Sequence, residues 1–524
     1  MPDVCIYDTT LRDGAAREGV SFSLEDKIKI LKRLDQFGIH YVEGGYPGSN
    51  PKDQEFFSAA AKLKLQNARL VAFGSTRKAL VSASRDQDMK ALVKSGAGVA
   101  CIFGKSWDFH VKKALRISLD ENLYMIEESV KYLKRKGIEV VFDAEHFFDA
   151  MKENPRYALK TVQAAAGAGA DWVVLCDTNG GTLPFEIASI VKDIHGKVLV
   201  PLGIHAHNDC ECAVANTLAA VREGAAMVQG TINGYGERCG NANLCSVIPD
   251  LVLKMNSDCM SRERLVDLTE VAHYVSEVAN LIPDGHQPYV GLSAFAHKGG
   301  VHASAVTKEA KTYEHIRPDL VGNIQRIVVS ELSGRSTVIM KAKEMGIDIT
   351  GSPTRLENVL KEIKDLEHVG YQFEAADGSF EILIRKALET YRQSFSLESF
   401  RVIMEKREDG KVGTEATVKI HVGGDRIIAT AEGNGPVNAL DRALRMAMGK
   451  SFPALEDIEL SDYKVRVLDE KKGTAAVTRV LIETSDGEKS WGTIGVSENI
   501  IEASWQALVD SIEFGLEHKR QQPH

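Results

Sequence analysis

Short runs of β-branched and aromatic residues alternate with longer amphipathic stretches from the N-terminus to about residue 265. Eight of these runs read as strands. They are VCIY near Cys5, YVEGG near Val42, LVAFG near Val71 and VACIF near Ala100, then EVVFDAE near Val140, WVVLCDT near Val173, PLGIHAH near Gly203 and MVQGTIN near Val228. The stretches between them, such as residues 23–38 (SLEDKIKILKRLDQFG) and 121–137 (ENLYMIEESVKYLKRKG), carry apolar residues at helical spacing. The first has a capping serine at Ser23, acids in its opening turn and a glycine at its end. Continuously apolar strands are buried on both faces, so strands followed by helices predict a parallel sheet covered by helices. Eight such units in about 250 residues predict a closed (β/α)8 TIM barrel over residues 1–266. No Gly-rich dinucleotide loop follows the first strand, which argues against an open doubly wound sheet.

The pattern then changes twice. Residues 267–395 are mainly helical with polar loops and predict small helical subdomains. Residues 396–524 read as an α+β domain with a two-fold internal repeat. Residues 417–448 hold two alternating strands, a Gly-rich turn and a helix, and residues 478–512 repeat that order about sixty positions later. VKIHVGGDRI and VLIETSDGEKSW read as hairpins around Gly-containing turns. Gly433, Gly435 and Ser497 mark the loops of that repeat where a small effector would be sought.

Candidate chemistry falls where a barrel would use it. Catalytic groups of such barrels gather at the C-terminal ends of the strands. Here DTTLRDG follows the first strand, DAEH the fifth, DTNGG the sixth, HAHND the seventh and NGYGERCGNAN the eighth. His205 and His207 stand two apart on a strand and therefore face the same way. Two neutral imidazoles and a carboxylate suit a divalent metal; zinc favours this set, and manganese or magnesium is compatible with open positions. Asp8 and Asp13 are both available as the carboxylate, and spacing does not choose between them. Glu145, with Asp143 two residues earlier on the same face, can orient a base or activate water.

Composition narrows the setting. The chain has 44% hydrophobic and 26% charged residues, ordinary for a globular protein, and its net charge of -9 leaves no electrostatic footprint for nucleic acid or an anionic membrane. No apolar run approaches the ~18 residues of a membrane span, and no basic-then-apolar leader opens the chain. All eight cysteines fall in the first half without a CxxC pair, several inside apolar runs, so a reduced cytoplasmic compartment is expected.

DTTLRDG, HAHND and GERCGNANL, in that order on a barrel, resemble the metal-dependent TIM-barrel acyl-CoA condensing family of the 2-isopropylmalate and homocitrate synthases. The resemblance implies that Asp13, His205, His207 and Asn241 hold the metal, that Arg12 is the neighbouring catalytic arginine, and that Asp8 is structural. It implies that Thr178 contacts the substrate carboxylate, that His302 in the GVH segment is the general base, and that Tyr313 lies near the same site. His297 is expected to be a surface or packing histidine. Asp143 departs from the family, which more often carries a small or neutral group there. The implied activity is an acyltransferase reaction, condensing acetyl-CoA with a 2-oxo acid and then hydrolysing the thioester. The full chain most resembles members that accept pyruvate on the route to isoleucine; members that accept 2-oxoisovalerate are the alternative, and a hydroxyacyl-CoA lyase is a more distant one. Phe73, Ile102 and Phe103 stand where they could narrow the acceptor pocket, but the sequence does not say which way they face. The resemblance also implies a homodimer, with the middle subdomains carrying residues into the neighbouring subunit's site and isoleucine as a feedback effector on the C-terminal domain.

Overall fold

In the computed structural model, which describes residues 3–298, 300–329, 335–349, 353–406, 408–468, 473 and 475–521, eight parallel strands close in chain order into a barrel. They are β1 (Cys5–Asp8), β2 (Tyr41–Gly45), β3 (Arg69–Ser75), β4 (Val99–Lys105), β5 (Glu139–Glu145), β6 (Trp172–Asp177), β7 (Leu202–Ala206) and β8 (Met227–Gly230). β1 pairs with both β2 and β8, which completes the closure. Every strand expected from the sequence is present. The helix Leu24–Phe37 shows why the local signals worked. Ser23 caps it through a reciprocal pair with Asp26, and Gly38 ends it at φ 100°, a conformation that favours glycine.

Strand alternation sorts the side chains into two cores. Ile6, Val42, Ala72, Ile102, Phe142, Val173 and Ile204 face outward and pack in the large cluster that joins barrel to helices. Cys5, Tyr41, Val71, Val99, Val141, Trp172 and Met227 face inward and fill the barrel. Two residues further along their strands, the inward positions turn polar at Glu43, Asp143 and Gln229, all buried. Burying such groups costs free energy unless each finds a partner, so this change marks the functional end of the barrel.

The chain divides into two compact units, Met1–Phe295 with Ile316–Ile324, and Ala296–His315 with Gln325–His524. The second opens with a short parallel pair, β9 (Ala296–His297) and β10 (Arg326–Ile327). Its helices Pro353–His368 and Asp377–Ala387 contribute to a core that includes Val338, Val359, Phe373 and Phe380. Two three-stranded antiparallel sheets follow. β11 (Ser396–Lys406), β12 (Val412–Val422) and β13 (Asp425–Gly433) precede the helix Pro436–Met448, and β14 (Glu459–Val467), β15 (Thr478–Ser485) and β16 (Ser490–Ser497) precede the helix Ile500–Gln521. The repeat is therefore βββα, with a strand in each half beyond the two that the sequence pattern suggested. β11 and β14 are edge strands exposed along most of their length, and their short alternating stretches, FRVIM and YKVRV, were passed over in the sequence. Both carry a register shift near the start, at Leu397/Ser399 and Leu460/Asp462, which strengthens the equivalence of the halves. Among the described residues, no helix is long and apolar enough to cross a membrane.

Candidate active site

The loop after β1 settles which aspartate faces the barrel mouth. Asp8 is fully buried and accepts from the Thr10 backbone N–H at 2.9 Å and the Thr10 hydroxyl at 2.7 Å. Thr10 Oγ1 in turn accepts from Ile232 N–H at 2.9 Å, tying this turn to the segment after β8. Burial pushes the Asp8 carboxyl up to about 7 against the hydrogen bonds from Thr10. Asp8 is thus a clamp of the loop. Asp13, five residues on, points into the mouth.

Asp13 meets His205, His207 and Asn241 there. His205 Nε2 lies 3.2 Å from His207 Nε2 and 3.5 Å from Asp13 Oδ2. The Asn241 amide nitrogen lies 3.2 Å from His205 Nε2 and 3.3 Å from Asp13 Oδ2. The seventh strand is carried beyond its end by an isolated bridge between His207 and Asn241, which brings the eighth-strand loop to the histidines. Gly236 makes room, since a Cβ there would stand 1.9 Å from Asn241 Oδ1. Burial alone would raise Asp13, but Arg12, His205 and His207 hold it below the ordinary carboxylate range. Desolvation, aided by His205, pushes His207 down to about 3, which keeps its imidazole neutral.

This donor set suits a divalent cation. Among the described residues, no three His, Cys, Asp or Glu side chains are arranged to enclose an ion by themselves. The set here reaches four donors only through the amide of Asn241. Metal–ligand bonds of about 2.0–2.1 Å at tetrahedral or octahedral angles put neighbouring ligand atoms about 2.8–3.4 Å apart, close to the 3.2 and 3.5 Å separations seen between these donors. Asn241 Oδ1 is buried with no protein hydrogen-bond partner. A half-turn of the amide would bring that oxygen to the imidazole and the carboxylate, a cluster of acceptors that a cation reconciles.

Arg12 stands beside this set. Its Nη1 pairs with Asp13 and its Nε with Glu43, while the guanidinium carbon lies 3.8 Å from the centre of the Phe73 ring. Glu43, buried on β2, also accepts from the Tyr7 hydroxyl at 2.5 Å. Burial opposes the charge on Arg12, but Asp13 and Glu43 outweigh it and keep the group protonated. Burial likewise raises Glu43, with Arg12 opposing. Phe73 stacks on Phe103 at 5.5 Å and meets the Tyr46 ring edge-on at 5.8 Å. Phe73 and Phe103 therefore form an aromatic wall beside Arg12, whereas Ile102 faces the helices.

Glu145 ends β5 and pairs with Lys105 at the end of β4. Thr178 follows β6. Its Oγ1 accepts from His146 N–H at 2.8 Å, and its carbonyl accepts from Arg238, which also grips Asp209 at 2.7 and 2.9 Å. His302 and Tyr313 belong to the second unit, where both are exposed and their rings stack with centroids 4.1 Å apart. His297 is half-buried and pairs with Glu314 at 3.2 Å. Gly433 and Gly435 lie at the junction of β13 and the helix after it, and Ser497 lies at the matching end of β16. Sequence reasoning passed over Glu43 and Gln229. The available signal was a polar residue at an inward position of an otherwise apolar strand.

A model of the HMGL-like family matches residues 3–275, more than half of the chain. A homocitrate synthase post-HMGL domain-like model matches residues 289–370, and a LeuA allosteric (dimerisation) domain model matches residues 374–516. The (R)-citramalate synthases of Geobacter sulfurreducens and Aquifex aeolicus are each 56% identical to this chain, covering 100% and 98% of it and 99% and 98% of their own lengths. A probable 2-isopropylmalate synthase of Methanopyrus kandleri is 33% identical, with 98% of both chains covered. Matched from end to end in this way, the chain belongs to the HMGL-like barrel family that contains the (R)-citramalate and 2-isopropylmalate synthases.

Proposed function

We propose that this chain condenses acetyl-CoA with pyruvate and hydrolyses the thioester, giving (R)-citramalate and free CoA. One observation carries the reading. Arg12 stands against an Asp13–His205–His207–Asn241 donor set at the mouth of the barrel, in a chain 56% identical throughout to (R)-citramalate synthases. A divalent cation held by those four residues, zinc, manganese or magnesium, would supply Lewis-acid polarisation of a keto group. Arg12 commits Nε and Nη1 to Glu43 and Asp13, so its remaining N–H groups can receive the negative oxygen that develops when a carbon nucleophile adds to the keto carbon. The Thr178 hydroxyl already accepts a bond from His146 and keeps its own proton to donate to the acceptor's carboxylate. The aromatic wall of Phe73 and Phe103 favours a small acceptor.

In this reading His302, with Tyr313 stacked on it and Glu145 acting alongside, removes a proton from the acetyl methyl group. The resulting carbon attacks the keto carbon, the new alkoxide takes up a proton, and water releases CoA as the free thiol. The dimerisation-domain match supports a homodimer, and we assign isoleucine feedback to the strand-to-helix junctions near Gly433, Gly435 and Ser497. Truncation before Ser396 should then abolish inhibition by isoleucine, with the oligomeric state followed in parallel.

The deciding assay is thiol release from acetyl-CoA with pyruvate, 2-oxobutyrate, 2-oxoisovalerate or 2-oxoglutarate, with and without added divalent metal. Preference for pyruvate supports the reading. Preference for 2-oxoisovalerate would make the enzyme a 2-isopropylmalate synthase, and no release with any acceptor would sink the condensation altogether. Metal analysis of His207→Ala should show loss of the bound ion.

A further inference from the structure

Across the barrel interior, Asp143 on β5, Gln229 on β8 and His205 on β7 form a buried chain of hydrogen bonds, with exposures of 4%, 0% and 5%. Gln229 Nε2 donates to Asp143 Oδ1 at 3.0 Å, and Gln229 Oε1 lies 2.8 Å from His205 Nδ1. His205 and Gln229 are register partners on neighbouring strands, and β5 lies on the far side of β6 and β7 from β8. The Gln229 amide therefore bridges the interior. We propose that Asp143, acting through Gln229, fixes the tautomer of His205 that carries the proton on Nδ1 and leaves the Nε2 lone pair for the metal.

The direction of the chain follows from what each group can do. Asp143 Oδ1 is the acceptor of the 3.0 Å contact from Gln229 Nε2, so the amide turns its NH2 to Asp143. Its carbonyl oxygen then faces His205, and the ring must donate from Nδ1. A neutral imidazole with its proton on Nδ1 has a bare Nε2, the atom 3.2 Å from His207 and 3.5 Å from Asp13. The opposite tautomer would aim an N–H at the metal position and leave two acceptors facing each other at Nδ1. Partners of this kind outside the ligand set commonly govern metal affinity. A glutamine in this place is ambiguous by itself, because its two ends have nearly the same shape. Asp143 removes that ambiguity, which gives a reason for a carboxylic acid at a buried inward position of the barrel. Asp143 and Gln229 are positioning residues here, since each acts through His205.

This inference rests on the metal site proposed above, and its test separates the two. Zinc affinity is measured by chelator competition on the full chain for wild type, Asp143→Asn, the double variant Asp143→Asn/Gln229→Glu, and His207→Ala. Asp143→Asn removes the carboxylate that fixes and polarises the Gln229 amide, and the new amide can also present either end to Gln229, so the single variant should bind zinc roughly ten-fold or more weakly. In the double variant, the carboxylate introduced on β8 accepts both from His205 Nδ1 and from the amide introduced on β5. That restores the direction, and affinity should return to within about three-fold of wild type. Nitrogen NMR of histidine-labelled, metal-free wild type should show the Nδ1–H form at His205. Unchanged affinity in Asp143→Asn sinks the relay while leaving the metal site standing, and so does a folded double variant as weak as the single one. If the single variant does not fold, the double variant against wild type decides. If neither folds, the wild-type tautomer decides, and an Nε2–H form overturns the proposal. Zinc binding that is absent from wild type, or untouched by His207→Ala, would sink the metal site itself and the relay with it.

Discussion

The guanidinium carbon of Arg12 lies 3.8 Å from the centre of the Phe73 ring. With Glu43 on Nε and Asp13 on Nη1, this contact fixes the plane of the guanidinium beside the donor set. A lysine would keep the charge but lose the planar fork, and one ammonium group cannot hold both carboxylates while facing a substrate oxygen. Arg12→Lys should therefore lower kcat by about 100-fold or more, the usual cost of losing a donor to a developing oxyanion. Thiol release at saturating pyruvate measures it. A loss of less than ten-fold would make Arg12 a structural ion pair.

The aromatic wall sets a second expectation. Phe73 and Phe103 stack at 5.5 Å beside Arg12, so if the acceptor binds beside Arg12 as proposed, shortening either ring opens space for a larger one. An added methylene in an apolar pocket is worth about 1–3 kcal/mol. Phe73→Leu should shift the ratio of kcat/KM for 2-oxobutyrate over pyruvate upward by about ten-fold. Part of its overall activity will fall as well, because Arg12 loses its ring contact. An unchanged ratio, measured with competing acceptors, would place the specificity wall elsewhere.

The barrel could be read from the sequence because each strand is locally complete, a short apolar run bounded by helix caps such as Ser23 and Gly38. His205 and His207 could be read because they stand at the end of β7 and share a face by strand parity alone, whereas Asp13 and Asn241 came from the family resemblance. Other features depended on contacts between distant segments. Asp8 ends β1 and Asp13 lies on the loop after it, and their partners, Thr10 for the one and His205 and Asn241 for the other, show which is turned away from the mouth. Glu43 and Gln229 looked like strand residues until Tyr7, Arg12, Asp143 and His205 supplied their partners. The edge strands β11 and β14 bury little on either face, and their alternating stretches, FRVIM and YKVRV, are short enough to pass for loop.

Asp8 carries a pH signature. Its folded-state pKa is raised to about 7 by burial from an ordinary 3.8, so the folded chain holds this proton more tightly than the unfolded one. Its contribution to stability is then complete below about pH 4 and is lost as pH rises through about 7. Asp8→Asn cannot titrate, and the hydrogen bond it forfeits to Thr10 is forfeited at every pH. The stability of wild type relative to this variant should fall by about 2–3 kcal/mol between pH 5 and pH 8. Unfolding midpoints of both chains at the two pH values test it, and a constant difference would mean that Asp8 is ionised throughout.

His302 and Tyr313 stack on each other in the second unit and are exposed there, Tyr313 to 47%. If they complete the barrel site of a neighbouring subunit in the proposed dimer, two dead chains should rescue one another. Arg12→Ala removes the oxyanion group but keeps His302, and His302→Ala does the reverse. In a mixed dimer, the barrel that retains Arg12 faces the partner that retains His302, so one site of two is whole. Random reassortment makes half of the dimers mixed and should return about a quarter of wild-type turnover. A site built from a single chain gives a different result, because the barrel with an intact Arg12 then always carries the His302 lesion and mixing restores nothing. Co-expression with two purification tags isolates the mixed dimer, where the two arrangements predict half of wild-type activity or none.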